Sequence, residues 1–132
     1  MIPYIKEFDE WNKVKKRIHH EEREVTMRAG EVRWAIFGVN VGSELDGKGH
    51  SFTRPVLILH VVGKVLALVI PMSTKLKEVA GYHHFPFQGK GVSLCLHQIR
   101  VLSQKRILGR KGRISEGHLR GVKEEVRQFF SF

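Results

Sequence analysis

Residues 55–70, PVLILHVVGKVLALVI, limit the chain's fold more than any other stretch. Pro55 to Val62 is an almost unbroken run of Val, Ile and Leu, which suits a strand buried on both faces. Gly63-Lys64 then forms a tight turn, and Val65 to Ile70 returns as a second buried strand. A parallel crossover takes a dozen or more residues, and this turn is far too short to hold one. The centre of the fold is therefore an antiparallel hairpin, and a doubly wound parallel sheet is excluded.

The flanking segments fit a small β domain with helices outside it. Glu31 to Phe37 alternates, with Val32, Trp34 and Ile36 on one face, and reads as a strand. Gly38 to Thr53 is polar and carries Gly38, Gly42, Gly47 and Gly49, so it reads as a loop. After the hairpin, Pro71 to Gly81 leaves the sheet. Tyr82 to Phe87 forms a short strand interrupted by Pro86. Val92 to His97 and Ile99 to Leu102 are further strand pieces, one bent strand or two. The spacing of Phe8, Trp11, Val14 and Ile18 predicts an amphipathic helix over residues 4–24. Ser115 is placed to cap a C-terminal helix whose apolar stripe is Leu119, Val122, Val126 and Phe129. The pattern predicts a mainly β (α+β) fold, a small curled antiparallel sheet or barrel. It divides the chain into an N-terminal helical extension, residues 1–28, and a barrel domain, residues 29–132.

At 132 residues the chain can build one real core without disulfides or metals. Its single cysteine makes a reducing cytoplasm the default location. No apolar run is long enough to span a membrane. The N-terminus carries acids early and does not read as a signal peptide. The net charge is +10, unevenly spread. Residues 92–132 hold 9 basic and 3 acidic side chains, and Arg100 to Arg113 contains no acid at all. A concentrated positive field favours polyanions through steering and counterion release, so nucleic acid is the expected partner class. A solvated basic face that only keeps the protein soluble is the alternative.

Several residues carry candidate chemistry. Arg54 follows the glycine-rich loop and precedes Pro55, which biases it to extended backbone at the rim of the sheet. An arginine there can clamp a phosphate and stabilise a developing phosphorane. It can equally serve as a structural tie to Glu44 or Asp46. Ser73, Thr74 and Lys75 end the hairpin with two hydroxyls and a charge, able to bind phosphate or to shape a turn. His97, at a strand end, can pass protons near neutral pH or simply be hydrogen-bonded. His19-His20 and His83-His84 are adjacent pairs that point apart, and no metal-ligand spacing occurs. Cys95, within an apolar alternation, reads as a core thiol.

In order along the chain, these motifs resemble the MazF/PemK family of toxin endoribonucleases. The motifs are Gly30-Glu31-Val32, Gly42-Ser43-Glu44, Arg54-Pro55-Val56-Leu57-Ile58, Pro71-Met72-Ser73-Thr74-Lys75, His97-Gln98-Ile99-Arg100 and the segment from Arg106-Ile107 to Gly112. The resemblance runs from Ala29 to Phe132. It implies a small SH3-like, partly open barrel with a C-terminal helix, usually a homodimer. It implies metal-independent cleavage of single-stranded RNA, with no cofactor, by attack of the ribose 2′-hydroxyl, leaving a 2′,3′-cyclic phosphate and a 5′-hydroxyl. The implied catalytic residues are Arg54 and Ser73, with Thr74 and His97 as further candidates. Glu44, Lys75, Gln98 and Arg100 are implied substrate-binding residues. The implied partner is an antitoxin with an acidic, largely unfolded segment. Three departures stand out: Ser73 replaces the family threonine, His97 stands where relatives have Asp or Glu, and the loop between Glu44 and Arg54 is long. Its glycines allow that loop to act as a lid, and inward folding would bring His50 to the site. The rival reading on the same barrel is a non-catalytic nucleic-acid-binding module or a gyrase inhibitor. A toxin decayed into a regulator is also compatible.

Overall fold

A computed structural model of the chain describes residues 4–131. Helix α1 (Phe8–His20) is followed by strands β1 (Glu31–Ile36), β2 (Thr53–Val62), β3 (Leu66–Ser73), β4 (Tyr82–Phe87), β5 (Lys90–Cys95), β6 (Arg100–Ser103) and β7 (Ile107–Arg113), and by helix α2 (Glu116–Phe130). One-turn helices at Leu96–Gln98 and Gln104–Arg106 flank β6. The strands form one antiparallel sheet in the order β4-β5-β3-β2-β1-β7, with β6 paired to β3. β3 carries β6 along Leu66–Val69 and β5 at Met72 and Ser73. Among the described residues β7 pairs with β1 alone and β4 with β5 alone, so the sheet ends at these two strands and the barrel is not closed. Among the described residues, no helix is long and apolar enough to cross a membrane.

The hairpin is central, as its composition requires. Leu57 and Leu59 face a core completed by Ile70, Leu94, Phe85 and, from α2, Val122 and Val126. Val56 and Ile58 face the opposite core, with Phe37, Val69, Leu102 and Ile107. Each of these β2 side chains is essentially inaccessible, which is why the sequence shows a continuous run instead of alternation. Gly63 and Lys64 both have positive φ, 59° and 66°, the geometry whose twist matches the flanking strands. Ser115 Oγ accepts the His118 N–H at 3.1 Å and starts α2.

Several expectations are corrected. α1 starts at Phe8 and ends at His20, shorter than residues 4–24. Its buried face is Trp11 and Ile18, while Phe8 and, on α2, Phe129 are exposed. The sheet does not end at Pro71: Met72 and Ser73 stay paired, now to β5. Pro71 sits where β3 passes from one set of partners to the next, so its missing N–H costs little. Pro86 does not interrupt β4, because β4 is an edge strand with one side free of partners. β7 was not anticipated at all. Its sequence ILGRKGR buries fully only Ile107 and shows no period, because it is an edge strand paired irregularly to β1.

Candidate active site

The sheet's rim around Arg54 is shaped by residues 38–53, which are closely braced. Phe37 and Gly38 donate to the Phe52 carbonyl at 2.8 and 3.1 Å, and Gly47 N–H donates to the Gly38 carbonyl at 2.7 Å. Gln98 holds the loop from across the sheet: its Oε1 accepts the Leu45 N–H and its Nε2 donates to the Ser43 carbonyl, each at 3.1 Å. Asp46 is buried, and its Oδ1 accepts the Asn40 N–H at 2.7 Å. These cross-links tie the loop at Gly38, Leu45, Asp46 and Gly47, while residues 41–44 and 48–51 stay exposed. His50 stays exposed on it, outside the clefts that Arg54 borders.

The segment before α1 adds a second brace. Tyr4 donates its hydroxyl to Asp46 Oδ2 at 2.7 Å. That bond to a carboxylate, then partial desolvation, raises the phenol's pKa to about 12. Lys6 Nζ donates to the carbonyls of Asn40 and Gly42 at 2.6 and 2.9 Å and lies 3.5 Å from Asp46 Oδ1. Trp11 anchors α1 at the loop's base, with its ring 5.7 Å from Phe52 and the Arg106 guanidinium 5.4 Å above it.

Arg54 is the electrostatic centre. It is only 7% exposed. Its Nε donates to the Asp46 carbonyl at 2.8 Å and its Nη1 to the Met72 carbonyl at 3.0 Å. The structural tie therefore exists, through the Asp46 backbone and not through a carboxylate. Nη2 has no hydrogen bond among the described residues. Burial pushes the pKa of Arg54 below the ordinary arginine value, with Cys95 and Asp46 only partly opposing it. A partly desolvated cation with donors to spare attracts an anion more strongly than a solvated one does.

Arg54 lines a cleft of about 360 Å³ together with Ser73, Thr74, Trp34, Lys90 and Lys111. Among the described residues no carboxylate lines it. Trp34 is 39% exposed, with Lys111 Nζ 4.9 Å above its ring. Ser73 Oγ accepts the Lys75 N–H at 3.1 Å, a turn contact that leaves its own proton to give. Ser93 Oγ donates to the Lys75 carbonyl at 2.6 Å and holds the turn in place. The cleft therefore offers a guanidinium and two hydroxyls beside an exposed aromatic face, a set suited to a phosphodiester with its bases unstacked.

The structure separates the remaining candidates from this group. His97, Gln98 and Arg100 line a different groove, shared with Glu44 and Asn40. His97 is exposed, and its ring packs 5.2 Å from that of Tyr82. The side chain of Gln98 is committed to the loop. The Arg100 guanidinium lies 5.3 Å from the Phe37 ring centroid, and burial lowers its pKa. Burial, and then the charge of Arg100, lower the pKa of Arg106 to about 10. Lys75 borders another cleft, which Arg54 and Lys48 also line. Cys95 is fully buried, and burial raises its pKa to about 11, so it stays a protonated core thiol. Among the described residues, no group of three His, Cys, Asp or Glu side chains is placed to hold a metal ion.

Sequence reasoning missed Trp34, Lys90 and Lys111 as cleft residues. Strand alternation puts Trp34 on the face of buried Val32, and its regular register against Pro55 keeps it there, but at that point the face opens into the cleft and leaves Trp34 exposed. Without β7, nothing in the sequence brings Lys111 to it.

Comparisons with known proteins come from sequence and from structure. The family model of the PemK-like, MazF-like toxin of type II toxin–antitoxin systems matches residues 28–130. No curated protein matches the sequence. MazF (Form-I) from Deinococcus radiodurans has a similar structure, with a TM-score of 0.64 and 17% identity over 83% of this chain and 100% of that one. The matched chain of MazE-MazF (Form-II) from the same organism gives 0.59 and 21%, over 83% and 99%. Toxin MazF-mt6 from Mycobacterium tuberculosis gives 0.56 and 14%, over 77% and 97%. At these identities the structural likeness concerns the fold.

Proposed function

Because the chain belongs to the family of PemK-like, MazF-like toxins of type II toxin–antitoxin systems, we propose that it is a metal-independent endoribonuclease acting on single-stranded RNA. The observation that carries this reading is Arg54. It is a partly desolvated guanidinium with Nη2 unspent among the described residues, in a cleft that these residues line with the hydroxyls of Ser73 and Thr74, with cations and with no carboxylate. In the proposed reaction the ribose 2′-oxygen attacks the adjacent phosphorus and gives up its proton to solvent water, from which the proton returned to Arg54 after the step is drawn. The P–O5′ bond breaks, leaving a 2′,3′-cyclic phosphate, and the departing O5′ takes a proton. Arg54 stabilises the pentavalent phosphate, and its lowered pKa eases proton donation to O5′. Ser73 donates to a phosphate oxygen or orients the attacking hydroxyl, with Thr74 as the second hydroxyl. Lys75, Glu44 and Arg100 contact the strand beyond the scissile phosphate. Gln98 acts through the loop it braces, and His97 acts in the loop-side groove.

The same reading gives the protein an acidic antitoxin partner and a homodimeric state. MazE-MazF from Deinococcus radiodurans is a solved precedent for the pairing. The basic C-terminal third suits an acidic segment that orders on binding.

The test is incubation of the protein with single-stranded RNA in EDTA, followed by mapping of the ends. Cyclic phosphate ends are expected, and Arg54→Ala lowers kcat by about 100-fold or more. The non-catalytic alternative draws on Arg54 Nε and Nη1 being committed to carbonyls. Salt-sensitive RNA binding with no cut product would establish it and overturn the enzyme reading.

A further inference from the structure

Arg54 and Lys48 border a second cleft of about 660 Å³ as well as the first. A strand held at Arg54 therefore has open space in each of the two clefts that Arg54 borders. The second cleft is walled by Tyr4 and its neighbours, which precede the residues matched by the family model. Resting on the ribonuclease reading, we propose that this cleft is a nucleotide subsite for single-stranded RNA, with the Tyr4 ring as its stacking platform.

Tyr4 has the two properties a platform needs. Its hydroxyl is tethered to Asp46 Oδ2 at 2.7 Å, which limits the positions of the ring. The residue is nonetheless 71% exposed. A fixed, exposed aromatic face binds an unstacked base at low entropic cost, whatever the base. Lys6 cannot hold phosphate here, because its ammonium is bonded to the carbonyls of Asn40 and Gly42. Lys48 and Lys75 can: both are exposed, and neither ammonium has a hydrogen bond or ion pair among the described residues. The exposed carboxylates of Glu7 and Glu44 also border this space. They repel phosphate and accept hydrogen bonds from exocyclic amino groups, which favours a base that carries one over uracil.

A labelled, fully 2′-O-methylated RNA 10-mer tests the subsite, since the blocked 2′-oxygen cannot attack. Tyr4→Ala is expected to weaken binding by about 5- to 100-fold, the effect of losing one base stack. Tyr4→Phe keeps the ring and loses the tether to Asp46, so its loss of affinity should be clearly smaller than that of Tyr4→Ala. A brace that worked through the bond to Asp46 would fail equally in both variants, and equal loss would overturn the proposal. An affinity for Tyr4→Ala within twofold of wild type would overturn it as well. Lys75→Ala should lower the slope of log K against log salt by about 0.7, as for one phosphate contact on a single strand; an unchanged slope removes Lys75 from the subsite. Cleavage of unmodified RNA separates the two readings. Cleavage with no effect of Tyr4→Ala on either binding or rate leaves the enzyme and refutes the subsite. Tyr4-dependent binding with no cleavage leaves the subsite and refutes the enzyme.

Discussion

Replacing Gly38 with alanine should detach the N-terminal helix, and the structure shows how much is at stake. Gly38 has φ of +84° and lies against the face of Trp11. An added Cβ would sit 2.6 Å from Trp11 Cε2 and 2.9 Å from Cη2. Carbon pairs rest about 3.5–4.0 Å apart, so the ring must retreat by roughly 1 Å. Two costs follow. The left-handed backbone costs alanine about 1–2 kcal/mol. Trp11 is 6% exposed, and losing the packing of a buried tryptophan costs about 3–5 kcal/mol. The second term dominates, but α1 can escape it by undocking, because only Trp11 and Ile18 are buried along it. A freed helix of 13 residues is marginal in water and melts. The expected result is a loss of about 3–5 kcal/mol in a first transition that carries α1 alone, with the sheet unfolding near the wild-type midpoint. Trp11→Leu removes the obstructing ring, so Gly38→Ala in that background should cost only the backbone term, about 1–2 kcal/mol. Urea unfolding followed by far-ultraviolet circular dichroism gives the four corners of the cycle. A coupling of about 2 kcal/mol is expected, and additivity within about 0.5 kcal/mol would refute the reasoning.

Two further outcomes are expected. The folded pKa of Tyr4, about 12, exceeds its ordinary value of 10.0, so the folded state favours the protonated phenol. Its contribution to loop bracing is complete below pH 10.0, falls as the pH rises and is gone above about 12. Absorbance titration of the phenols, compared between wild type and Tyr4→Phe, should show one late-titrating tyrosine lost; a difference spectrum centred at pH 10.0 would contradict the Asp46 bond. Gln98→Ala removes two loop hydrogen bonds and should cost about 1–3 kcal/mol. Hydrogen exchange at the Leu45 amide should speed up while β2 stays protected, and unchanged exchange there would show that the brace is dispensable.

Much of this protein is legible in its sequence, because local chemistry leaves local marks. The run from Pro55 to Ile70 shows a hairpin buried on both faces over Val56–Leu59 and Val69–Ile70, where strands without a wet face have no need of alternation, while its turn end from Val62 to Leu66 is exposed. Gly63-Lys64 announces the turn and Ser115 the start of α2, each through backbone demands within a few residues. The ordered motifs place Arg54, Ser73 and Thr74 in sequence, and these residues do line one cleft. What stayed hidden depends on pairing between distant segments. β7 has almost no apolar period, because edge position and irregular register free most of its side chains from the core. Trp34 gains Lys111 as a neighbour only through that pairing. Tyr4 meets Asp46 across 42 residues, and Gln98 meets Leu45 across 53, contacts with no signature in spacing. The sequence by itself determined an antiparallel core, a basic composition and a short list of candidate phosphate-binding side chains. Tertiary structure alone decided that Arg54 lies buried and borders two clefts, that His97 faces a different groove, and that residues 4–7 wall the second of those clefts. The physical reason is that burial and charge environment are properties of packing, and packing is set by segments far apart in the chain.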